Sequence, residues 1–342
     1  MFIAPTIQAF RRLGKLARTV RGFDHFKRFG GRPVIVLARS LCDKSVPQKG
    51  QKDSQALYSE SKYIGDTRGG LRCGTGECWD EVGHYIGEWV SDVREGHGVL
   101  TYANGIVYEG GFVDNEPNEQ GKLTWHDGTV YEGKFVNGVL CDESRSVSVD
   151  GICKEGKLVY GMLNGVGKIK TVGGLVVEGM FRYDNAIGQG KATFADGSVI
   201  EGEFRNYLLN GKGKITHPDG FSREGNLCNN KLHGVGKITE PDGFFMEGTF
   251  KDGERYGWCK IGSADGVFTE GLRIDGKWDG PVKTTRPSGD TCEGSYVDGE
   301  MHGLWTFRIN TEGGGMTVFT GYYRNGRWTI QGANGESFEV DT

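Results

Sequence analysis

The sequence predicts an all-β protein, an elongated single-layer array of stacked β-hairpins with a helical basic extension at its N-terminus. Three observations predict it. A triplet ending in Glu-Gly recurs every 23 residues from Tyr108 to Cys292. The residues around each triplet alternate apolar and polar with the two-residue period of a strand. Glycine makes up 59 of 342 residues, about 17% against a usual ~7%, while proline numbers only 8. So much glycine with so little proline excludes collagen and Pro-rich linkers and assigns the glycines to turns and close contacts of a folded chain.

The chain opens on a different kind of segment. Residues 1–62 hold thirteen Lys/Arg against four Asp/Glu, an excess of nine positive charges, which leaves about −13 of the net −4 on the remainder. In residues 1–42, at 100° per residue, Phe2, Ile7, Phe10, Leu13, Leu16 and Val20 share one half of a helix and Arg11, Arg12, Lys15 and Arg18 the other. No acid precedes Asp24. An amphipathic, Arg-rich, acid-poor leader has the character of a mitochondrial presequence. The same physics suits an interfacial membrane anchor or a partner-binding helix. Arg11, Arg12, Lys15, Arg18, Phe10 and Leu13 are the candidate contacts to membrane or import receptor. Residues 43–62, rich in Lys, Ser and Gln, read as a flexible linker.

The repeat array occupies residues 63–318. The triplets are headed by Tyr108, Tyr131, Lys154, Val177, Ile200, Arg223, Met246, Thr269 and Cys292, and Tyr85 keeps the register upstream. Adding the degenerate copy at Tyr63 gives about eleven units, and a fixed period of this length marks stacked repeats. Each unit reads as two strands joined by a loop ending in Gly, as in His217-Pro218-Asp219-Gly220. Pro, Asp, Gly in that order suits a three-residue hairpin loop, a type I turn closed by a left-handed Gly. That loop fixes the register: Leu123 faces Tyr131, Gly121 faces Gly133 and Lys122 faces Glu132. The same count sets Arg145 against Glu155, Lys168 against Glu178, Lys191 against Glu201, and so on to Lys283 against Glu293. A two-residue turn would set Lys against Gly.

The opposite face carries a mostly aromatic row through Trp89, Phe112, Phe135, Phe181, Phe204 and Phe250, broken at Arg273. The glycine two residues before each member is expected to make room for the neighbouring ring. At about 4.8 Å per strand the array would extend on the order of 100 Å. Residues 319–342 contain the tight turn Asn325-Gly326 and the loop Ala333–Gly335 and read as a shortened capping repeat.

These units, of the form YEGKF…NG…GKG…PDG, resemble the MORN (membrane occupation and recognition nexus) repeat family over roughly residues 63–340. The resemblance implies a stack of β-hairpins forming an elongated groove, and a scaffold role in cytoskeletal, ciliary or membrane-junction assemblies. Anionic-lipid contact and homodimers joined through their ends are also within what the family implies. The copy at Cys141–Gly151 has lost its Gly-x-Gly, and Arg273 departs from the aromatic row, so grooves there are expected to be altered.

No motif points to catalysis. Gly-x-Gly-Lys at Gly165–Lys168 and its repeats lacks the spacing and the following Ser/Thr of a phosphate loop. Cys73, Cys78 and His84 lack a fourth zinc ligand. The eight cysteines include no CxxC pair. Neither cofactor nor metal is expected, and the net charge selects no nucleic acid. The expected function is a non-catalytic scaffold holding proteins of a larger, mitochondrial assembly. The alternative is a cytoskeletal or ciliary scaffold that meets anionic membrane or phosphoinositides through its basic N-terminus. Within the array the candidate partner-binding positions lie near breaks in the pattern: Arg273, Trp278 and Trp305.

Overall fold

The computed structural model describes residues 61–311, 314–324, 327–331 and 337–341. The basic leader, nearly all of the linker, the Asn325-Gly326 turn and the Ala333–Gly335 loop lie outside the described residues. The first strand begins at Lys62. The chain divides into an N-terminal unit ending at Ala195 and a C-terminal unit beginning at Asp196.

Both units are antiparallel β, and within each every strand pairs with the next in sequence. The N-terminal unit runs from Lys62–Arg68 to Asn185–Thr193, and the C-terminal unit from Val199–Arg205 to Ser337–Asp341. Neither contains a helix among the described residues. The expected register holds: Leu123 pairs with Tyr131, Gly121 with Gly133 and Lys122 with Glu132. The three-residue loop holds too. Trp125 N–H donates to the Thr129 carbonyl at 2.8 Å and Gly128 N–H to the Trp125 carbonyl at 2.8 Å. Gly128 sits at φ +85°, where a side chain is strained. The acid before the glycine has its own role, because Asp127 Oδ1 accepts the Thr129 N–H at 2.8 Å and closes the corner from inside.

The other end of each hairpin is a two-residue turn with both corners at positive φ, as at Asp114 (49°) and Asn115 (71°). This is the type I′ geometry, whose twist matches the flanking strands. These turns also stitch one repeat to the previous one. Asn230 N–H donates to the Leu209 carbonyl at 3.1 Å, and the Leu209 N–H returns a bond to Asn230 Oδ1 at 2.7 Å. Asn115 does the same for Arg94, and Asp184 for Leu163. Where the corner is Gly, as at Gly138 and Gly253, the backbone bond to the earlier strand is kept but the corner returns no side-chain bond. Asn230 is buried. Asn230→Ala is therefore expected to lower stability by about 1–3 kcal/mol, through the orphaned Leu209 N–H and the left-handed corner. Urea titration should show the midpoint falling at unchanged slope, with Asn230→Asp losing much less.

Within each unit, basic side chains of the ladder are flanked on both sides. Lys122 pairs with Glu132 and also with Glu109, and Lys214 with Glu224 and Glu201. The ladder alternates in sign along each unit, and its closest contacts include Lys168 Nζ to Glu178 at 3.0 Å and Lys214 Nζ to Glu224 at 3.2 Å. These groups are about half exposed, so each rung contributes little beyond register.

The opposite face is the core. Tyr85, Trp89, Tyr108, Phe112 and Phe135 are buried and meet edge to face in succession at 5.0–5.2 Å. The glycines do make room for a ring, and it is the ring of the residue heading the triplet. The group lying across Gly110 and Gly121 is Tyr108, two residues before Gly110 on the same strand, and a Cβ on either glycine would overlap it. In several later copies a leucine takes that place, with Leu163 over Gly167 and Leu232 over Gly236, and at Gly294 the ring of Trp305 does. Four residues of extended strand span about 13 Å, so this contact requires the strand to bend sharply. The bend is a bulge: between Gly225 and Leu227 the partner strand runs from Gly236 to Leu232, with two residues in excess.

The copy that lost its Gly-x-Gly keeps its register, with Ser144 opposite both Gly133 and Gly156. Ser144 Oγ donates to the Gly156 carbonyl at 2.9 Å. Tyr131 reaches Gly161 instead of lying over the serine. In the C-terminal unit the strand Glu300–Asn310 is 11 residues long, where its counterparts have 9. The inserted residues there lengthen a hairpin that still closes by Thr311 N–H to Gly315 at 2.8 Å.

Burial shifts the tyrosines strongly. Tyr85 and Tyr131 are pushed up to about 12, mainly by loss of solvent around the phenol, and Tyr102 and Tyr108 are raised in the same direction for the same reason. An unfolded tyrosine ionises near ~10. Above that pH the unfolded chain releases protons that the folded unit retains, so stability is fully present below about pH 10 and is lost as pH rises through about 12. The share of tyrosinate absorbance that comes from these buried rings should appear only as the far-UV circular dichroism is lost. Ionisation of all 13 tyrosines near ~10 with the sheet intact would contradict the burial.

Candidate functional site

The expected site residues separate in three ways. Arg11, Arg12, Lys15, Arg18, Phe10 and Leu13 lie outside the described residues. Trp305 is only 2% exposed. Its ring fills the space over Gly294 and meets Tyr296 edge to face at 5.5 Å. It is therefore a core residue of the C-terminal unit, which corrects its reading as an exposed anchor, and the reason is that Gly294 leaves a floor only a large ring fills. Arg273 and Trp278 do come together. They face each other across neighbouring strands, with the guanidinium carbon 5.1 Å from the ring centre.

Arg273 has unusual surroundings. Its Nε is buried with no hydrogen-bond partner. Burial, then the charge of Arg255, holds its pKa below the ordinary arginine value. Cys259 beside them is buried, which pushes its thiol up. Another core-face cation, Arg223, also has Nε unpartnered and lies over the Phe221 ring at 5.5 Å.

A second surface was not read from the sequence. The middle residue of Gly-x-Gly, or of Gly-x-x where the second glycine is replaced, points away from the core, and in the C-terminal unit it is Lys212 and then Val235, Trp258, Pro281 and Leu304 in successive copies. Trp258 is 55% and Leu304 60% exposed, and their cross-strand neighbours are Leu272 and Tyr322. The same positions in the N-terminal unit hold Thr75, His97, Gln120, Glu143, Val166 and Gln189. The exposed apolar residues thus follow one another from Val235 onward in the C-terminal unit, with Val166 as the apolar member of the N-terminal unit, and run beside the Glu–Lys ladder. The period contained the signal, in the identity of one residue per repeat.

Among the described residues the chemistry-bearing side chains named above stand in structural contacts. His84 Nε2 contacts Glu77 at 2.7 Å and its ring stacks on Trp79 at 4.6 Å. Cys78 is buried against Arg72 Nη1 at 3.3 Å. Among the described residues no three His, Cys, Asp or Glu side chains converge as a metal site.

The MORN repeat family model matches residues 85–107, 108–130, 178–199, 201–222, 224–244 and 292–304. The chain is a MORN-repeat protein. The matched segments follow the 23-residue frame, and the gaps between them fall on the copies that differ most, including Cys141–Gly151 and the stretch holding Arg255 and Arg273. No curated protein matches this MORN protein. Among solved structures, similarity is found to the SAS-4 (dCPAP) TCP domain of Drosophila melanogaster in complex with a proline-rich motif of Ana2 (dSTIL). It is at 15% identity over 52% of this chain and 90% of that one, with a TM-score of 0.31. Virginiamycin B lyase from Staphylococcus aureus is similar at 14% identity over 71% and 83% of the two chains, with a TM-score of 0.15. Superpositions this loose transfer neither fold nor function.

Proposed function

We propose that this MORN protein is a non-catalytic scaffold that holds proteins of a larger mitochondrial assembly. MORN repeats serve as interaction scaffolds, and the observation that carries the reading here is the exposed apolar row of the C-terminal unit. An exposed tryptophan with Leu304 and Tyr322 on an open sheet face is costly in water and is the surface chemistry of protein contact. Successive copies of one surface within a unit suit an extended polypeptide better than a small substrate. Delivery to mitochondria rests on the leader, whose Arg11, Arg12, Lys15 and Arg18 oppose an apolar half with no acid before Asp24.

Two measurements test this. Import into isolated mitochondria, followed by N-terminal sequencing, should give a shortened mature chain. An intact Met1 with cytoskeletal or ciliary staining would replace the mitochondrial part by the membrane-contacting alternative. Affinity purification with the full chain should recover a partner that is lost with Trp258→Glu, and a partner set unaffected by that change and by removal of either unit would sink the scaffold reading.

A further inference from the structure

The outer face of the N-terminal unit begins unlike the rest of that unit. From Glu109 onward its ladder alternates acid and base, but the first rungs, in register across five strands, are Ile64, Glu77, Ile86, Val99 and Glu109. Three aliphatic side chains stand where the following copies hold Glu, Lys or Arg. Burial alternates cleanly along the strand Gly83–Val90, so His84, Ile86, Glu88 and Val90 point outward together. Ile64, Ile86 and Val90 are exposed and Val99 is half-buried. Trp79 borders this strip with its ring stacked on His84.

The charge around the strip is negative. Residues 62–113 hold eight Asp/Glu against four Lys/Arg, and two of those bases are engaged with acids of the same segment, Arg72 with Asp92 and Arg94 with Asp80. Lys62 lies over the Trp79 ring at 5.3 Å. Glu88 and Glu109 are exposed, and Glu77 is half-buried against His84 Nε2 at 2.7 Å. Lys122, the next rung after Glu109, is shared with Glu132.

The leader has the complementary chemistry. Residues 1–42 hold nine Lys/Arg and a single acid, Asp24. At 1.5 Å per residue the expected helix of residues 7–20 is about 20 Å long, which is the distance from the first of these strands to the fifth at about 4.8 Å per strand. The leader is also joined to this patch, because the array begins at Lys62 on its edge strand. Residues 43–61, read as a linker, would reach about 25 Å as a random coil. The leader is thereby presented to the strip at roughly millimolar effective concentration.

We propose that the basic leader docks on this strip of its own chain, with Ile7, Phe10, Leu13 and Leu16 against Ile64, Ile86, Val90 and Val99. Arg11, Arg12, Lys15 and Arg18 then lie among Glu77, Glu88 and Glu109. The contact takes both apolar surfaces out of water. It also withholds the leader from a membrane or an import receptor for as long as the array stays folded. The inference goes beyond the scaffold reading, which stands whether or not the leader docks.

Carbodiimide coupling, which joins a lysine amine directly to a carboxylate, tests the contact on the full chain. Tryptic mass spectrometry of the monomer band should find Lys15 joined to Glu77, Glu88 or Glu109, in a yield that falls as salt is raised. Absence of these links, or Lys15 joined instead to acids elsewhere in the array, overturns the proposal. The same links confined to a dimer band make a second copy the occupant and overturn the contact within one chain. A second measurement is binding of the full chain to vesicles of phosphatidylcholine and phosphatidylserine. Glu77→Gln, Glu88→Gln and Glu109→Gln together should strengthen it at least about tenfold by freeing the leader. That gain should vanish when Arg11, Arg12, Lys15 and Arg18 are also Gln. Binding unchanged within twofold overturns the masking, and so does a gain that persists without those four bases, since it then reports only weaker repulsion between array and membrane.

Discussion

Lys154→Met is expected to lower the stability of the N-terminal unit by about 3–5 kcal/mol, because it strips the counter-charge from a buried carboxylate. Lys154 heads its triplet where Tyr108 and Tyr131 head theirs, and it is nearly buried at 12% side-chain exposure. Its ammonium donates to Asp184 at 2.8 Å and to the Gly161 carbonyl at 3.0 Å. Asp184 is 1% exposed, and it also accepts the Leu163 N–H at 2.8 Å, so it cannot turn to solvent without breaking a repeat-to-repeat stitch. Adding Asp184→Asn to Lys154→Met should recover most of the loss, since the amide still accepts from Leu163 and carries no charge. Urea unfolding followed by tryptophan fluorescence measures both. A single variant within about 1 kcal/mol of the parent would show that the pair is not desolvated.

Tyr108→Ala should be comparably severe, about 3–5 kcal/mol. The ring is fully buried, touches Phe112 and Phe135 edge to face at 5.2 and 5.0 Å, and lies on Gly110 and Gly121. Those glycines have no side chains to fill the space, so the cavity cannot collapse. Tyr108→Phe separates the contributions. It keeps the ring and loses only the hydroxyl bonds to the Gly111 and Asn118 carbonyls, for an expected loss of about 1 kcal/mol. Equal losses in the two variants would place the stabilisation in the hydroxyl instead of the packing.

Both residues show how far the sequence could be read. The triplet period, the three-residue loop and the Lys122–Glu132 register were all legible, because they depend on neighbours within one hairpin. The pairing of Lys154 with Asp184 spans 30 residues and follows no period, since no other triplet combines Lys with an acid at that offset. The role of the two-residue turns was hidden for a similar reason: Asn230 looks like an ordinary turn residue until Leu209 is brought beside it. Trp305 was misread because its place in the pattern gives a face but not a depth. The row at Val235, Trp258 and Leu304 was passed over because the middle of Gly-x-Gly varies from copy to copy.

By itself the sequence determined the repeat length, the strand alternation, the loop type and which residues face each other across a hairpin. These are local matters, set by backbone geometry at Gly, Asp and Pro and by a side-chain period of two. Only the tertiary structure decided which side chains lose their water. It put Tyr108 over bare glycine and closed a carboxylate against Lys154, since burial and charge pairing depend on strands a whole repeat apart.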